Sequence, residues 1–450
     1  MRRAALGGLA VLLTSGCLSS ASGYHRATSL AAARLGVSAD RPAEEDSGAA
    51  IDALLDAPLD ADRAARIALL ASPDLRASMA DIGEARARVV SALALPNPTF
   101  EGAIRFRDAA DPNLELNASL DVRRLVLLPF EDAPASADID AAATESAAIA
   151  VGLSFDARLA YFEFVAATET ASLDEELVVA AGASSTLSDA LVEAGNVPTL
   201  DALNERALYE DARVGLASAN LEVASARERL NARLGLFGER GAKWKAEARV
   251  PRPPRGPIDN ADLERVAVEK SLEIEAWKLR YRSAALHEDL ARAKGWLPEI
   301  SAGISGERDA EGWSVGPRFG VSLPLFYQGQ GEADGAEAEE ERAKQMVESF
   351  GIRVRAAARS AATALAAAEA KLAWFEDTLL PLRARIVDET LRHYNAMSVS
   401  AFQLLVARRD EIATERAYVV ALLEYWRARG AVDALRAGRL PAGSAGSRAD

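Results

Sequence analysis

Histidine and cysteine are almost missing from this chain. It has three histidines, His25, His287 and His393, far apart in sequence, and one cysteine, Cys17. That scarcity leaves no ligand spacing for a metal site. Aromatic residues make up 6% of the chain, and no basic stripe interleaves with them. With a formal charge of −15, which becomes more negative if a leader carrying Arg2 and Arg3 is lost, the chain is a poor candidate for nucleic-acid binding. No P-loop, GxGxxG or GxSxG occurs, and no catalytic constellation is visible. An enzyme reading has no supporting residues, and no cofactor is expected.

Alanine, leucine and charged residues are abundant, and half of all residues are apolar. Such a composition favours long packed helices over a compact mixed core. The 450 residues allow two or three soluble domains, or one elongated object. One stretch departs from the helical trend: Gly312 to Gly331, GWSVGPRFGVSLPLFYQGQG. Trp313, Val315, Pro317, Phe319, Val321 and Leu323 alternate with Ser314, Gly316, Arg318, Gly320 and Ser322. That is the period-two pattern of a strand with one apolar face. Pro324 and the Gln-Gly-Gln-Gly run end it, and a very long Ala/Glu-rich helical stretch follows.

Taken in order, residues 1–16 carry two arginines, a short apolar run and small residues before Cys17. This is the pattern of a secretory signal, too short to span a membrane. Leu13-Thr14-Ser15-Gly16-Cys17 resembles the lipobox of bacterial lipoproteins, in which the cysteine is lipidated and becomes the mature N-terminus. The other reading is an ordinary signal peptide with an incidental or buried cysteine. Leu18, in place of an aspartate, favours the outer over the inner membrane by the same resemblance. One acyl chain anchors weakly, so more chains or an embedded part would be needed. Residues 17–64 read as a lipidated tether with little structure. The first repeat, 65–238, begins with a helix from about Ser72, an N-cap before Pro73, to about Leu93. Leu75, Met79, Ile82, Ala85 and Val89 recur there at helical spacing.

A β-hairpin is expected over about 97–124. Phe100, Gly102, Ile104 and Phe106 form one alternating face, and after the Asp108–Asn113 turn Leu114, Leu116, Ala118, Leu120 and Val122 form another. The pattern fits a transmembrane strand, with one side to lipid and one to water, and equally a half-exposed strand of a soluble sandwich. A helix without proline is expected from about Pro134 to Glu193. Ala194-Gly195-Asn196-Val197-Pro198-Thr199 breaks it, and Thr199 can cap a second helix ending near Leu236-Phe237-Gly238. Residues 239–260, with VPRPPRGP, read as a linker.

The second half, 261–436, repeats the first. A helix from about Asn260 to Lys294 leads to a hairpin over about 299–324. A long helix follows from about Glu332 to Asn395, interrupted at Pro381. It breaks near 396–402, and a last helix runs to about Leu435. Residues 437–450 read as a flexible tail. Leu297-Pro298 stands 202 residues after Leu95-Pro96, and Val197 and Val399, Leu200 and Phe402, Asp201 and Gln403, and Leu203 and Leu405 pair at the same offset. One register at both the strand entrance and the hairpin tip marks an internal duplication.

Two strands do not make a stable sheet, and four from one chain leave two exposed edges. Lipid-facing sheets must close so that every backbone group is paired. If these strands lie in a membrane, the chain must oligomerise; three copies give twelve strands around a polar lumen. The helices, about 90 Å for about 60 residues, exceed a bilayer and would form a second, helical barrel. The expected fold is therefore mainly α with a small membrane β part: a trimeric twelve-stranded β-barrel, four strands per chain, continued by a long α-helical barrel. A freestanding antiparallel coiled coil accounts for the helices but not for the four alternating strands.

This layout resembles the TolC-like outer-membrane efflux proteins, in particular the lipidated branch serving metal and drug efflux pumps. The carriers are the duplicated plan, Leu95-Pro96-Asn97-Pro98, Leu323-Pro324-Leu325-Phe326 with Gln328-Gly329-Gln330-Gly331, and the tips Glu193–Leu203 and Tyr394–Phe402. The resemblance implies a passive homotrimeric duct in the outer membrane of a Gram-negative bacterium. It would be lipid-anchored at Cys17, extend into the periplasm, and dock a periplasmic adaptor (membrane fusion) protein connected to an inner-membrane pump. Adaptor contact would fall on Gly195, Asn196, Val197 and Thr199, and on Met397, Ser398, Val399 and Ser400; the bland reading of both sets is a hairpin turn. For a periplasmic gate it implies Asp201, Gln403 and Tyr394. Gln403 stands where the best-known member has an acidic ring residue, and Val399 where the lock expects an arginine, so the gate would be held differently or weakly. Asp201 reads equally as a solvated helix-start residue. A duct of a protein secretion system and a periplasmic coiled-coil lipoprotein are the alternatives.

Overall fold

The computed structural model describes residues 22–36, 44–106, 112–247, 249–254, 256, 260–309 and 312–441. In chain order the elements are α1 (Ser22–Leu35), α2 (Glu44–Leu55), α3 (Ala61–Ala71), α4 (Pro73–Leu93), β1 (Thr99–Phe106), β2 (Pro112–Asp121) and α5 (Val122–Glu193). Then come α6 (Thr199–Leu234), α7 (Gly238–Lys243), α8 (Leu263–Lys270), α9 (Leu272–Trp296), β3 (Glu299–Asp309) and β4 (Gly312–Ser322). The last are α10 (Gln330–Trp374), a π turn at Phe375–Leu379, α11 (Leu380–Asn395) and α12 (Ala401–Arg436). Cys17 and the signal segment lie outside the described residues.

The chain divides into two compact units: Met1–Leu30, Ala77–Ala147 and Leu272–Gly351 form one, and Ala31–Arg76, Ala148–Ser271 and Ile352–Asp450 the other. The first unit contains the sheet. Its strands run β1-β2-β3-β4, all antiparallel, and the two hairpins join through β2 and β3 with Ala118 opposite Ile304 and Leu120 opposite Ala302. Along its helices, Ala27, Ile82 and Ala143 form a buried cluster with Met79 and Ala142 against it. Small side chains let these helices approach closely, and charges fix their flanks: Arg26 pairs with Asp140 (3.3 Å) and Lys294 with Glu131 (2.5 Å).

The second unit holds much of the chain's small supply of aromatics. Phe162 stacks on Trp426 with centroids 4.6 Å apart, and Phe164 meets Trp244 edge-on at 4.9 Å. Trp244 is fully buried, lies under the Arg227 guanidinium (4.1 Å), and donates from Nε1 to Asn231 Oδ1 (2.8 Å). A buried indole N–H needs such a partner.

Several sequence expectations change here. Residues 17–64 are not a tether with little structure: α1 and α2 occupy much of the segment, and Ala27, Ala31, Ile51 and Leu55 are buried. Its polar composition hid a sparse stripe of small apolar residues sufficient to pack. Residues 239–260 are not a free linker. Trp244 and Val250 are buried, Ala246 bridges Leu59, and Val250 N donates to Glu169 Oε2 (2.8 Å). The tail does not start loose at 437, because Ala437 and Leu440 are buried. The long first-repeat helix starts at Val122 instead of Pro134, its first turn closed by Arg124 N donating to Asp121 Oδ1 (3.2 Å). Pro129 and Pro134 lie within it, each removing one helical donor. Ahead of Pro381 the helix widens to a π turn, with Leu380 N bonded to Phe375 O.

Trp244→Phe removes the indole donor and leaves Asn231 Oδ1 buried without it. A loss of about 1–3 kcal/mol is expected, read as a lower urea midpoint for the detergent-solubilised protein.

Candidate functional site: a two-faced sheet and two hairpin tips

The strand register places the large apolar positions on one surface. Phe100, Ile104 and Phe106 of β1, Leu114, Leu116 and Leu120 of β2, Ile300 and Ile304 of β3, and Trp313, Val315, Phe319 and Val321 of β4 share a face. Most of these large side chains are exposed; Phe319 is 74% accessible. Arg308, opposite Leu114 and Trp313, is the one charged side chain on this face among the described strand residues; an apolar surface of this extent marks an interaction face.

The opposite face is polar. Arg105 pairs with Glu115 (3.2 Å), and Arg318 approaches the same carboxylate (3.9 Å). Glu115 and Glu307 stand opposite each other across β2 and β3, an unfavourable like-charge pair. The two arginines relieve it on one side, and Asn113 Nδ2 donates to Glu307 Oε1 (2.6 Å) on the other. Glu101, Asn117, Ser119, Ser301 and Ser305 extend this face. Together the two faces can divide hydrocarbon from water, with no backbone group inside the sheet left unpaired.

The hairpin tips lie in the second unit and repeat each other bond for bond. Ala194 N donates to Ala190 O, Gly195 N to Val192 O, Asn196 N to Leu191 O and Asp201 N to Pro198 O. The partners 202 residues later are Ala396 to Arg392, Met397 to Tyr394, Ser398 to His393 and Gln403 to Ser400. Both turns need a left-handed residue: Gly195 at φ +73 and Met397 at φ +56. Methionine adopts that conformation at a cost glycine avoids, and its side chain is 94% exposed. Thr199 is not the α6 cap. Pro198 holds that position without a side-chain bond, whereas at the equivalent place Ser400 Oγ accepts from Gln403 N (3.4 Å).

Asp201 and Gln403 stand in the first turns of α6 and α12, and Tyr394 in the last turn of α11; all three are exposed. Among the described residues, no hydrogen bond or ion pair joins them. The ties that hold α5 to α12 lie further from the tips and escaped sequence reading. Arg408 pairs with Glu176 (2.7 Å), Arg416 with Asp174 (3.0 Å) and Arg427 with Glu163 (2.9 Å), an antiparallel ladder. The Asp174 side chain is 3% exposed. Burial pushes its carboxyl up, and the Arg416 charge pulls it part of the way back. The arginines at 408, 416 and 427 fall on one broad helical face, a signal that a charge-periodicity reading would have caught.

A cleft of about 1140 Å³ in the first unit, lined by α4, α5, α9 and α10, gathers charges of both signs. Ser283 Oγ donates to Asp138 Oδ1 (2.5 Å) and His287 Nε2 lies 3.4 Å from Asp138 Oδ2. Burial raises the Asp138 carboxyl, but these two partners outweigh it and hold it below the usual range. His287 and Asp138 are also a pairing the sequence, 149 residues apart, did not suggest.

No protein-family model matches the sequence, and no curated protein matches it. Solved structures do. The Campylobacter jejuni CmeC outer membrane channel superposes with a TM-score of 0.69 at 15% identity, covering 85% of this chain and 86% of that one. The outer membrane protein VceC of Vibrio cholerae gives 0.68 at 17% identity over 84% and 96%. The open state of the Neisseria gonorrhoeae MtrE outer membrane channel gives 0.68 at 16% over 85% and 89%. The chain thus has the TolC-like outer-membrane channel fold.

Gly195→Ala is expected to cost about 1 kcal/mol locally and to speed amide hydrogen exchange at Asn196 about fivefold. Met397→Gly leaves exchange at Ser398 unchanged or slower. Ile304→Lys, on the apolar face, is expected to impair folding into lipid vesicles by about 2–4 kcal/mol. Ser305→Lys, on the polar face, does not.

Proposed function

We propose that this chain is the outer-membrane channel of a tripartite efflux system. Three copies close their four-stranded sheets into a twelve-stranded barrel, apolar faces to lipid and polar faces to an aqueous lumen. The observation that carries this reading is the exposed sheet face, apolar except for Arg308 near one end, backed by a charged, hydrogen-bonded one. The fold likeness to CmeC, VceC and MtrE supports it. Conduction is passive, driven by an inner-membrane pump through a periplasmic adaptor.

Under the same proposal Cys17 carries the lipid anchor. Gly195–Thr199 and Met397–Ser400 meet the adaptor's hairpins, and the bond-for-bond equivalence of the two tips lets one adaptor geometry fit both. Asp201, Gln403 and Tyr394 line the periplasmic entrance. With only Asp201 acidic at the paired positions, the entrance field comes from three symmetry-related carboxylates and attracts cations.

Purified from outer membranes, the protein is expected to run as a trimer and to conduct in planar bilayers with a preference for cations. Tyr394→Phe or Asp201→Ala raises the conductance. A water-soluble monomer without conductance would overturn the reading.

A further inference from the structure

The two repeats join sheet to helix by different means. In the first, Arg124 Nη2 donates to Ser91 O (2.7 Å) and Nε to Ala94 O (3.3 Å), while Arg123 Nη1 donates to Leu297 O (3.3 Å). The two guanidiniums thus tie down the carbonyls at the C-terminal ends of α4 and α9. At the register-equivalent positions, 202 residues on, the second repeat has Leu325 and Phe326. Its joint is made instead by backbone contact. A Cβ added at Gly295 would run into the carbonyl oxygen of Gln328, and Gly329 takes φ +73 with its own added Cβ 3.4 Å from Gly295 Cα. Only glycine fits at such an approach.

This contact holds Leu323–Tyr327 against the end of α9 and leaves its side chains outside. Phe326 is 96% exposed, and Leu323, Leu325, Tyr327 and Trp296 (next to Gly295) are all exposed. The segment extends the apolar run of β4 beyond its last residue, through a bend at Leu325-Phe326. The eleven residues of β4 extend about 36 Å at about 3.3 Å each. Tilted as barrel strands are, they span about 25–28 Å, close to the apolar band of an outer-membrane barrel. The boundaries of that band then fall at the strand's two ends, Trp313 on one side and the Leu323–Tyr327 segment on the other. Trp and Tyr prefer this boundary because an apolar ring sits in the acyl region while the N–H or O–H stays hydrated.

We propose that Leu323–Tyr327 with Trp296 is an interfacial anchor, seated at the headgroup level of the bilayer and held there by the glycine contact of the second repeat. The anchor rests on the reading of the sheet as membrane-embedded and adds a depth and an occupant, phospholipid, for an exposed patch outside the strands.

The test places one environment-sensitive fluorophore on Phe326→Cys or on Phe319→Cys, each in a Cys17→Ser background, reconstituted in phosphatidylcholine vesicles containing 5-doxyl or 12-doxyl lipid. The expected result is that the label at 326 is quenched at least twofold more by 5-doxyl than by 12-doxyl lipid, with the order reversed at 319. Quenching at 319 with none at 326 overturns the anchor and leaves the embedded sheet standing; a blue-shifted, unquenched label at 326 would place a neighbouring subunit there instead. Stronger quenching at 326 by the 12-doxyl lipid overturns the interfacial depth. No quenching at either position overturns the anchor together with the embedded sheet.

Discussion

A backbone N–H or C=O facing hydrocarbon must find its partner within the protein. The four strands meet that requirement internally, through the β1–β2, β2–β3 and β3–β4 ladders, and leave it open along the outer edges of β1 and β4. An apolar face carrying Phe100, Ile304, Val315 and Phe319 is costly in water, and two bare edges are costly in lipid. Pairing the edges with further strands would remove the second cost, and an apolar medium against that face would remove the first. The duplication matters here because it supplies two hairpins whose registers mesh, so each chain brings four strands already joined.

The helical part solves a different problem. Helices of 36 to 72 residues gain little from aromatic cores when they must lie side by side along their length. Alanine at positions such as 143, 147, 150 and 157, all buried, lets the backbones come close, and dispersion summed over many small contacts replaces a few large ones. Aromatics are concentrated around Trp244 and Trp426, where segments distant in the chain meet, and on the apolar sheet face. Between α5 and α12 the fastening is ionic, with the nearly inaccessible Asp174 paired to Arg416 the deepest tie. Removing one partner of such a pair leaves a buried charge without compensation.

The two repeats keep one backbone at their tips and have diverged in chemistry there, and at the joint in backbone as well. Gly195 and Met397 share a left-handed turn, Pro198 and Ser400 share a cap position, and Arg123-Arg124 and Leu325-Phe326 share a joint. Backbone hydrogen bonding fixes the hairpin whatever the side chain, so each position is free to take a local role. At the joint, one repeat seals helix ends with guanidiniums and the other uses glycine contact and turns its apolar side chains outward.

The sequence by itself determined what depends on periodicity and near neighbours. Alternation in Gly312–Ser322 specifies a strand and its two faces, the proline-poor Ala-rich runs specify the long helices, and the constant 202-residue offset specifies the duplication. These are local or translational properties, readable along the chain. Only the tertiary structure decided which strands adjoin, since β2 and β3 are separated by the whole first helical hairpin and the linker. It also decided that α1, α2 and the described residues around Trp244 and Val250 pack instead of dangling, because a few buried residues such as Ile51, Trp244 and Val250 hold them against a polar composition. The Glu163–Arg427, Asp174–Arg416 and Glu176–Arg408 pairs, like His287 beside Asp138, join residues well over a hundred positions apart. No spacing rule connects such residues; the fold brings them within reach, and Coulomb attraction at about 3 Å then holds them.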